Sequence, residues 1–174
     1  MKKNMLIAGV CAGLVAAGCF SFAPSVTYAD DGDSLILTGD FDAGRTVGWD
    51  IAGDRGAVSV STKQGDVKGK AALHYWDNKA FKFTAQQTVE DVPDGTYDFT
   101  VDTMGGGGEN GITFFVDVNG QKKTVPVKDT KWNEWHTWTI QGVEVKGGKC
   151  TIGVAVDANS GNWGSIDNFT MTKK

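Results

Sequence analysis

Alternation of apolar and polar side chains with a period of two constrains this chain more than any other feature. Cys150, Ile152, Val154 and Val156 alternate with Thr151, Gly153, Ala155 and Asp157. Only an extended strand with one buried face places every second residue on the same side. The pattern recurs in Tyr97, Phe99 and Val101 against Asp98, Thr100 and Asp102, and in Ile112, Phe114, Val116 and Val118. No segment shows helical periodicity. Strands are predicted over 34–38, 57–61, 71–76, 81–89, 97–102, 112–118, 122–127, 135–145, 150–157 and from 164 onward. Turn signals separate them: DVPDG at 91–95, Asn119-Gly120 as a hairpin turn, and Gly147-Gly148. Short strands at this spacing predict an all-β fold, an antiparallel β-sandwich of the jelly-roll kind. With no internal repeat and no linker, residues 34–174 form one domain. The stretch from Cys150 to Thr172 reads as strand, polar loop with Trp163 at its tip, and returning strand. It predicts a hairpin at one end of the sandwich, where sandwiches carry binding sites.

The first 29 residues have a different composition. Lys2 and Lys3 precede an apolar run from Met5 to Phe22, and Thr27-Tyr28-Ala29 supplies small residues for cleavage. That is the pattern of a secretory signal peptide over 1–29, followed by a short acidic leader over 30–33. A minority alternative is a lipoprotein anchored at Cys19, after Ala16-Ala17-Gly18. The expected location is secreted and extracellular, with no membrane insertion. Removal of 1–29 leaves 145 of the 174 residues. A domain of that size buries about 68–70% of its unfolded surface. The net charge then moves from −4 to −6, because residues 1–29 carry two lysines and no acid. An acidic surface argues against nucleic acid and anionic membranes and suits a neutral partner such as a polysaccharide, bound by a monomer. Of the three cysteines only Cys150 remains, on the apolar parity of its strand, and it reads as a small core residue.

The chain offers little catalytic chemistry. Its two histidines, His74 and His136, both lie within strands. There is no nucleophile elbow and no zinc-binding His-Glu-x-x-His. GGGGEN at 105–110 lacks the lysine and hydroxyl residue of a phosphate loop. It reads either as a flexible connection or as a rim whose backbone, Glu109 and Asn110 meet sugar hydroxyls. Six tryptophans are many for this length. Pyranose rings present apolar faces of C–H groups that pack on aromatic rings, and rims of hydroxyls that need short polar partners. Two loops mix these residue types. One is Tyr75-Trp76-Asp77-Asn78, where Trp76 reads as a sugar platform. The other is 159–164, where Asn162 sits beside Trp163, itself either a platform or a plug of the sandwich end. Trp49, Trp132 and Trp138 are expected in the core and Trp135 partly exposed. Asp42 and Asp167 are hard oxygen donors that suit calcium, or else turn caps.

Several stretches together resemble carbohydrate-binding module family 61. They are LHYWDNKAFKFTAQQTV, DGTYDFTVDTMGGGGEN and TKWNEWHTWTIQGVEVKGGKCTIGVAVDANSGNWGSIDNF, and the likeness runs from about Leu35 to Met171. Its most specific pieces are the glycine run ending in an acid and Asn, the paired Trp132 and Trp135, and the CTIG, NWG and Asp-x-Phe tail. Members of that family are attached to family-53 endo-β-1,4-galactanases and bind β-1,4-galactan. The resemblance implies a galactose-binding-like sandwich and no enzymatic activity. It also implies recognition of galactose-containing chains through Trp76, Asp77, Asn78, Glu109, Asn110, Asn162 and Trp163. By similarity to related sandwiches it implies a structural calcium between Asp42 and Asp167. Here Asp167-Asn168 stands where paired acids are usual, and Asp42 where glutamate is common. The rival expectations are a small polysaccharide hydrolase or lyase on this scaffold, or a cell-surface adhesin.

Overall fold

The computed structural model describes residues 35–129 and 131–174. The expected signal peptide over 1–29 and acidic leader over 30–33 lie outside the described residues. Ten strands form among the described residues: β1 Asp50–Gly53, β2 Val58–Ser61, β3 Ala72–Trp76, β4 Phe81–Val92, β5 Gly95–Gly105, β6 Gly111–Val118, β7 Gln121–Val127, β8 Lys131–Val145, β9 Gly148–Ala158 and β10 Trp163–Lys173. One sheet has the order β1-β4-β9-β6-β7 and the other β2-β3-β10-β5-β8, with all pairs antiparallel. The fold is the all-β sandwich that the alternation predicts. Among the described residues no helix is long and apolar enough to cross a membrane.

The alternating residues supply the core. Cys150, Ile152, Val154 and Val156 on β9 face Phe99, Val101 and Ile166 of the other sheet within one buried cluster. Cys150 is buried as expected, and burial pushes its thiol up to about 11. Phe169 anchors the middle, with ring centroids 4.4 Å from Trp49 and 6.3 Å from both Phe41 and Phe114. Truncating such a phenylalanine to alanine costs about 3–5 kcal/mol. Asn119 and Gly120 both have positive φ, 53° and 82°, which gives β6 and β7 the tight hairpin that Asn-Gly predicts.

Three expectations need correction, and one strand was not foreseen. β9 and β10 do not form a hairpin: they belong to different sheets, and the loop between them is an arch. Alternation fixes which face of a strand is buried, not which sheet it joins. Residues 35–38 form a turn, not a strand. Thr38 and Phe41 take left-handed φ values of 48° and 49°, which break the extension. That segment docks through a side chain instead, because Gln87 accepts from the Leu37 N–H and donates to the Leu37 carbonyl. The short strand β1 was hidden in a four-residue stretch too brief to show a period. Trp132 is not core but 57% exposed. Thr103 pairs with His136 and Gly105 with Lys131, so residues 132–135 bulge out opposite Met104 alone. A bulge of that size resets the parity that places Trp138 inward. Trp49 is buried, Trp138 packs against the core and Trp135 is half-buried, as expected.

A polar chain closes one end of this core. Trp138 Nε1 donates to Thr103 Oγ1, which donates to Asp129 Oδ1, each at 2.8 Å. Asp129 is only 5% exposed. Burial, helped by the Glu109 charge, pushes its carboxyl up to about 6, against the Thr103 hydrogen bond and His136. A carboxyl raised in the folded state favours folding fully at low pH. That contribution is lost as pH rises from the ordinary value near 3.8 to about 6. Urea melts of the wild type and Asp129→Asn should therefore diverge by on the order of 2–3 kcal/mol between pH 4 and pH 7, with the wild type losing ground. A stability difference that stays constant over this range would mean that Asp129 keeps its ordinary acidity.

Candidate functional site

The connections β1–β2, β3–β4, β5–β6, β7–β8 and β9–β10 each cross from one sheet to the other. The register brings them to one end. Phe81 pairs with Ala158, Gly111 with Asp157, Ile112 with Val127, Trp163 with Trp76, and Gly164 with Gly105, which pairs with Lys131. The two loops that mix aromatic with short polar residues therefore meet at the same rim, together with the glycine run.

Trp76 and Trp163 stand directly opposite each other on β3 and β10. Leu73 and Tyr75 point into the core, so His74 and Trp76 point outward. The outward His74 Nδ1 and Ser165 Oγ lie 3.0 Å apart two register positions along. Trp76 is 53% exposed. Trp163 is half-buried because its indole lies on Gly106, where a Cβ would come within 2.7 Å of Nε1 and 3.0 Å of Cε2. Any residue but glycine at 106 would lift the ring. Two adjacent indoles thus present an apolar patch on the outer face of the second sheet.

The polar residues predicted for the site divide into two groups. Asn162 serves the loops: its Oδ1 accepts from the Asn159 N–H at 2.7 Å and its Nδ2 donates to the Gly107 carbonyl at 3.0 Å. Asn159 Nδ2 donates to the Gly108 carbonyl, Ser160 Oγ to the Asn78 carbonyl, and the Gly161 N–H to the Asp77 carbonyl. These bonds strap three arches together and fix the spacing of the rings. Asn110 Nδ2 donates to Asp157 Oδ1 at 2.9 Å, and Glu109 Oε1 accepts from the Tyr75 hydroxyl at 3.1 Å. Hydrogen bonds from Asn110 and Lys82 hold the Asp157 carboxyl below its ordinary range. Among the described residues, the Asp77 carboxylate, the Asn78 amide, Glu109 Oε2 and Asn110 Oδ1 make no such bond. They are the groups open to a partner's hydroxyls.

Sequence reasoning missed Tyr75, Thr103 and Asp129 in this neighbourhood. Tyr75 shares the apolar parity of β3, and Asp129 looks like any acid in a polar turn, so neither gave a signal. A raised carboxyl at Asp129 near Glu109 has the composition of an acid–base pair for sugar hydrolysis. Its place removes it from that role. A Cβ on Gly105 would lie 3.3 Å from Asp129 Cβ and 3.0 Å from the Trp163 carbonyl, so Asp129 sits enclosed behind the strand end.

Asp167 is fully buried on the outward parity of β10. Its Oδ1 accepts from the Asn168 N–H at 2.8 Å, while Oδ2 has no hydrogen-bond partner among the described residues. Burial, then the charges of Asp42, Asp102 and Asp40, raise it to about 7. Nearby Asp102 shows the opposite balance. Burial raises it, but hydrogen bonds from Lys68, Thr137 and Asn168 outweigh that and hold it below its ordinary value. An orphaned, buried carboxylate oxygen among acids fits a hard cation. Asp42 Oδ1 already accepts from the N–H groups of Lys70 and Ala71, so Oδ2, with the exposed Lys70 Nζ 3.9 Å away, is its remaining donor. No cluster of three or more His, Cys, Asp or Glu suited to a metal occurs among the described residues, so backbone carbonyls and water would complete a calcium shell.

The other sheet offers a different surface. A depression of about 440 Å³ on its outer face is lined by Ala52, Thr84, Thr113, Ala155, Lys82 and Asp157, and at the rim end by Asn110, which therefore borders both surfaces. It has volume but no open ring, since nearby Phe115 is buried with Lys122 Nζ 4.3 Å above it.

No family model and no curated protein matches the sequence. Solved structures do. The chain is 30% identical to TmCBM61, whose structure was determined in complex with β-1,4-galactotriose, with a TM-score of 0.77 over 82% of this chain and 99% of that one. A family 16 carbohydrate-binding module matches at TM-score 0.59 with 19% identity, over 80% of this chain and 99% of its own. The CBM22-1 xylan-binding domain of Paenibacillus barcinonensis Xyn10C matches at 0.57, also with 19% identity, over 84% and 97%. The last two share the fold. The first shares sequence through almost its whole length. Its identity, the two-sheet architecture and the paired indoles agree: the chain belongs to carbohydrate-binding module family 61 and is a non-catalytic sandwich module.

Proposed function

We propose that this module is secreted and binds β-1,4-galactan or a related galactose-containing polysaccharide across the Trp76–Trp163 rim. One observation carries the reading: the two tryptophans stand in direct register on an outer face. The complex of TmCBM61 with β-1,4-galactotriose supports galactan as the ligand class. The composition of residues 1–29 supports secretion. In this reading the sugar's C–H faces stack on the indoles. The open groups of Asp77, Asn78, Glu109 and Asn110 select among hydroxyl orientations, while Asn162 holds the rings at their spacing. Galactose differs from glucose by an axial 4-hydroxyl. A site that satisfies it leaves polar groups unpaired when glucose enters, which penalises the wrong sugar.

Such a site is open and wet, so dissociation constants should fall between about a micromolar and a millimolar. Calorimetry on residues 30–174 should show heat with galacto-oligosaccharides and little with cello-oligosaccharides. Trp76→Ala should weaken binding about tenfold or more with the melting temperature unchanged, because that ring is half in water. No heat with any galacto-oligosaccharide would refute the reading. A large fall in melting temperature for Trp76→Ala would make that ring structural.

We also propose a structural calcium between Asp42 and Asp167. Its support is the unpaired, buried Asp167 Oδ2 and the acids around it. Binding would couple the segment after residue 38 to β10. Calcium should raise the melting temperature relative to a chelator-treated sample, and Asp167→Asn should abolish the difference. Identical melts of the wild type with calcium and with chelator would rule the ion out.

A further inference from the structure

Trp132 is the most exposed aromatic residue among those described, at 57%. The bulge of β8 throws it outward, with Asn133 at φ 62° and its N–H against Met104 Sδ at 3.0 Å. The ring does not hang free. It rests on Gly65 in the β2–β3 connection, where a Cβ would come within 2.8 Å of Cζ2, and Gly65 has φ +97°. That connection crosses the outer face of the second sheet. Lys68 in it reaches Asp102 on β5 at 2.7 Å, and the charges of Asp66 and Lys63 act on His74 on β3. Trp132 therefore stands on the same face as Trp76 and Trp163, with the end of β5 between them. β10 and β8 are two strand spacings apart, roughly 9–10 Å.

Both tryptophans are built alike. Trp163 packs on Gly106 and Trp132 on Gly65, each with the Nε1–Cε2 side of its indole against a backbone that carries no side chain. A ring placed for stability alone would be enclosed on both faces. We propose that Trp132, seated on Gly65, is a second aromatic platform that stacks a sugar further along the chain bound at Trp76 and Trp163. This rests on the polysaccharide reading above and adds to it that the module measures chain length. A short ligand engages the first pair of rings alone, and a longer one spans β5 to reach Trp132.

Calorimetry with galactobiose and galactohexaose tests this. In the wild type galactohexaose should bind more tightly than galactobiose. Trp132→Ala should lose about tenfold in affinity for galactohexaose and leave galactobiose unchanged. Gly65→Val keeps the ring but displaces it; at φ +97° it lowers the melting temperature, but below its melt it should show the same length-selective loss. Equal galactohexaose affinity in the wild type and both variants would overturn the platform while leaving the Trp76–Trp163 site intact. So would a loss equal for both lengths. A wild type that binds neither sugar would overturn both readings at once.

Discussion

One extra residue in β10 decides which side of the sandwich each half of that strand serves. Asp167 pairs with Asp102 and Thr170 with Thr100, so three steps on β10 match two on β5. Asn168 takes up the surplus at φ 50°. Before it, Trp163, Ser165 and Asp167 point outward; after it, Phe169 and Met171 point into the core. The same strand can therefore set an indole beside Trp76 and a phenylalanine between Phe41, Trp49 and Phe114. Without the bulge one of the two sets would face the wrong way, since strand parity is otherwise rigid.

The rim built on that strand depends on hydrogen bonds that leave few polar groups open. Asparagine suits this because its amide can accept and donate at once and so bridge two backbones. Asn162 does so between the β9–β10 arch and the glycine run, and the Asn159 amide adds a second donor to that run. The glycines are needed there for approach as well as for turning, since Gly106 carries the Trp163 ring. Asparagines that look from composition like sugar ligands thus act as the frame. The open groups at Asp77, Asn78, Glu109 and Asn110 do not have to be broken away from a partner before a hydroxyl can reach them.

Where alternation is unbroken, the sequence was legible: β6 and β9 face the core as their residues predict, and Asn119-Gly120 turns as it should. The fold class followed from these alone. What could not be read were events that depend on partners far along the chain. Nothing local says that β9 and β10 join different sheets, or that Gln87 would pair with Leu37 across fifty residues. Trp132 was misplaced because counting by two from Trp138 cannot see four residues opposing one. In the site, Trp76 beside Asp-Asn was legible because aromatic and amide are neighbours in sequence. Asp129 was not, because its environment comes from Thr103 on β5 and Glu109 in the glycine run, both distant in sequence.

The two outer faces of the sandwich show how volume and chemistry can part. The first sheet carries Ala52, Thr84, Ala155 and Thr113 in register, and their small side chains leave a shallow depression with no ring open to it. The second sheet has open indoles instead. Leaving half of an indole in water forgoes roughly 2–3 kcal/mol of burial, a large part of a domain's net stability of about 5–15 kcal/mol. Here that happens twice on one face, at Trp76 and Trp132. A glycine lies beneath the ring of Trp132, as it does beneath that of Trp163. Packing alone gives no reason to hold rings partly uncovered against bare backbone. A ligand with an apolar face of its own does, because it restores on binding the contact that folding leaves unmade.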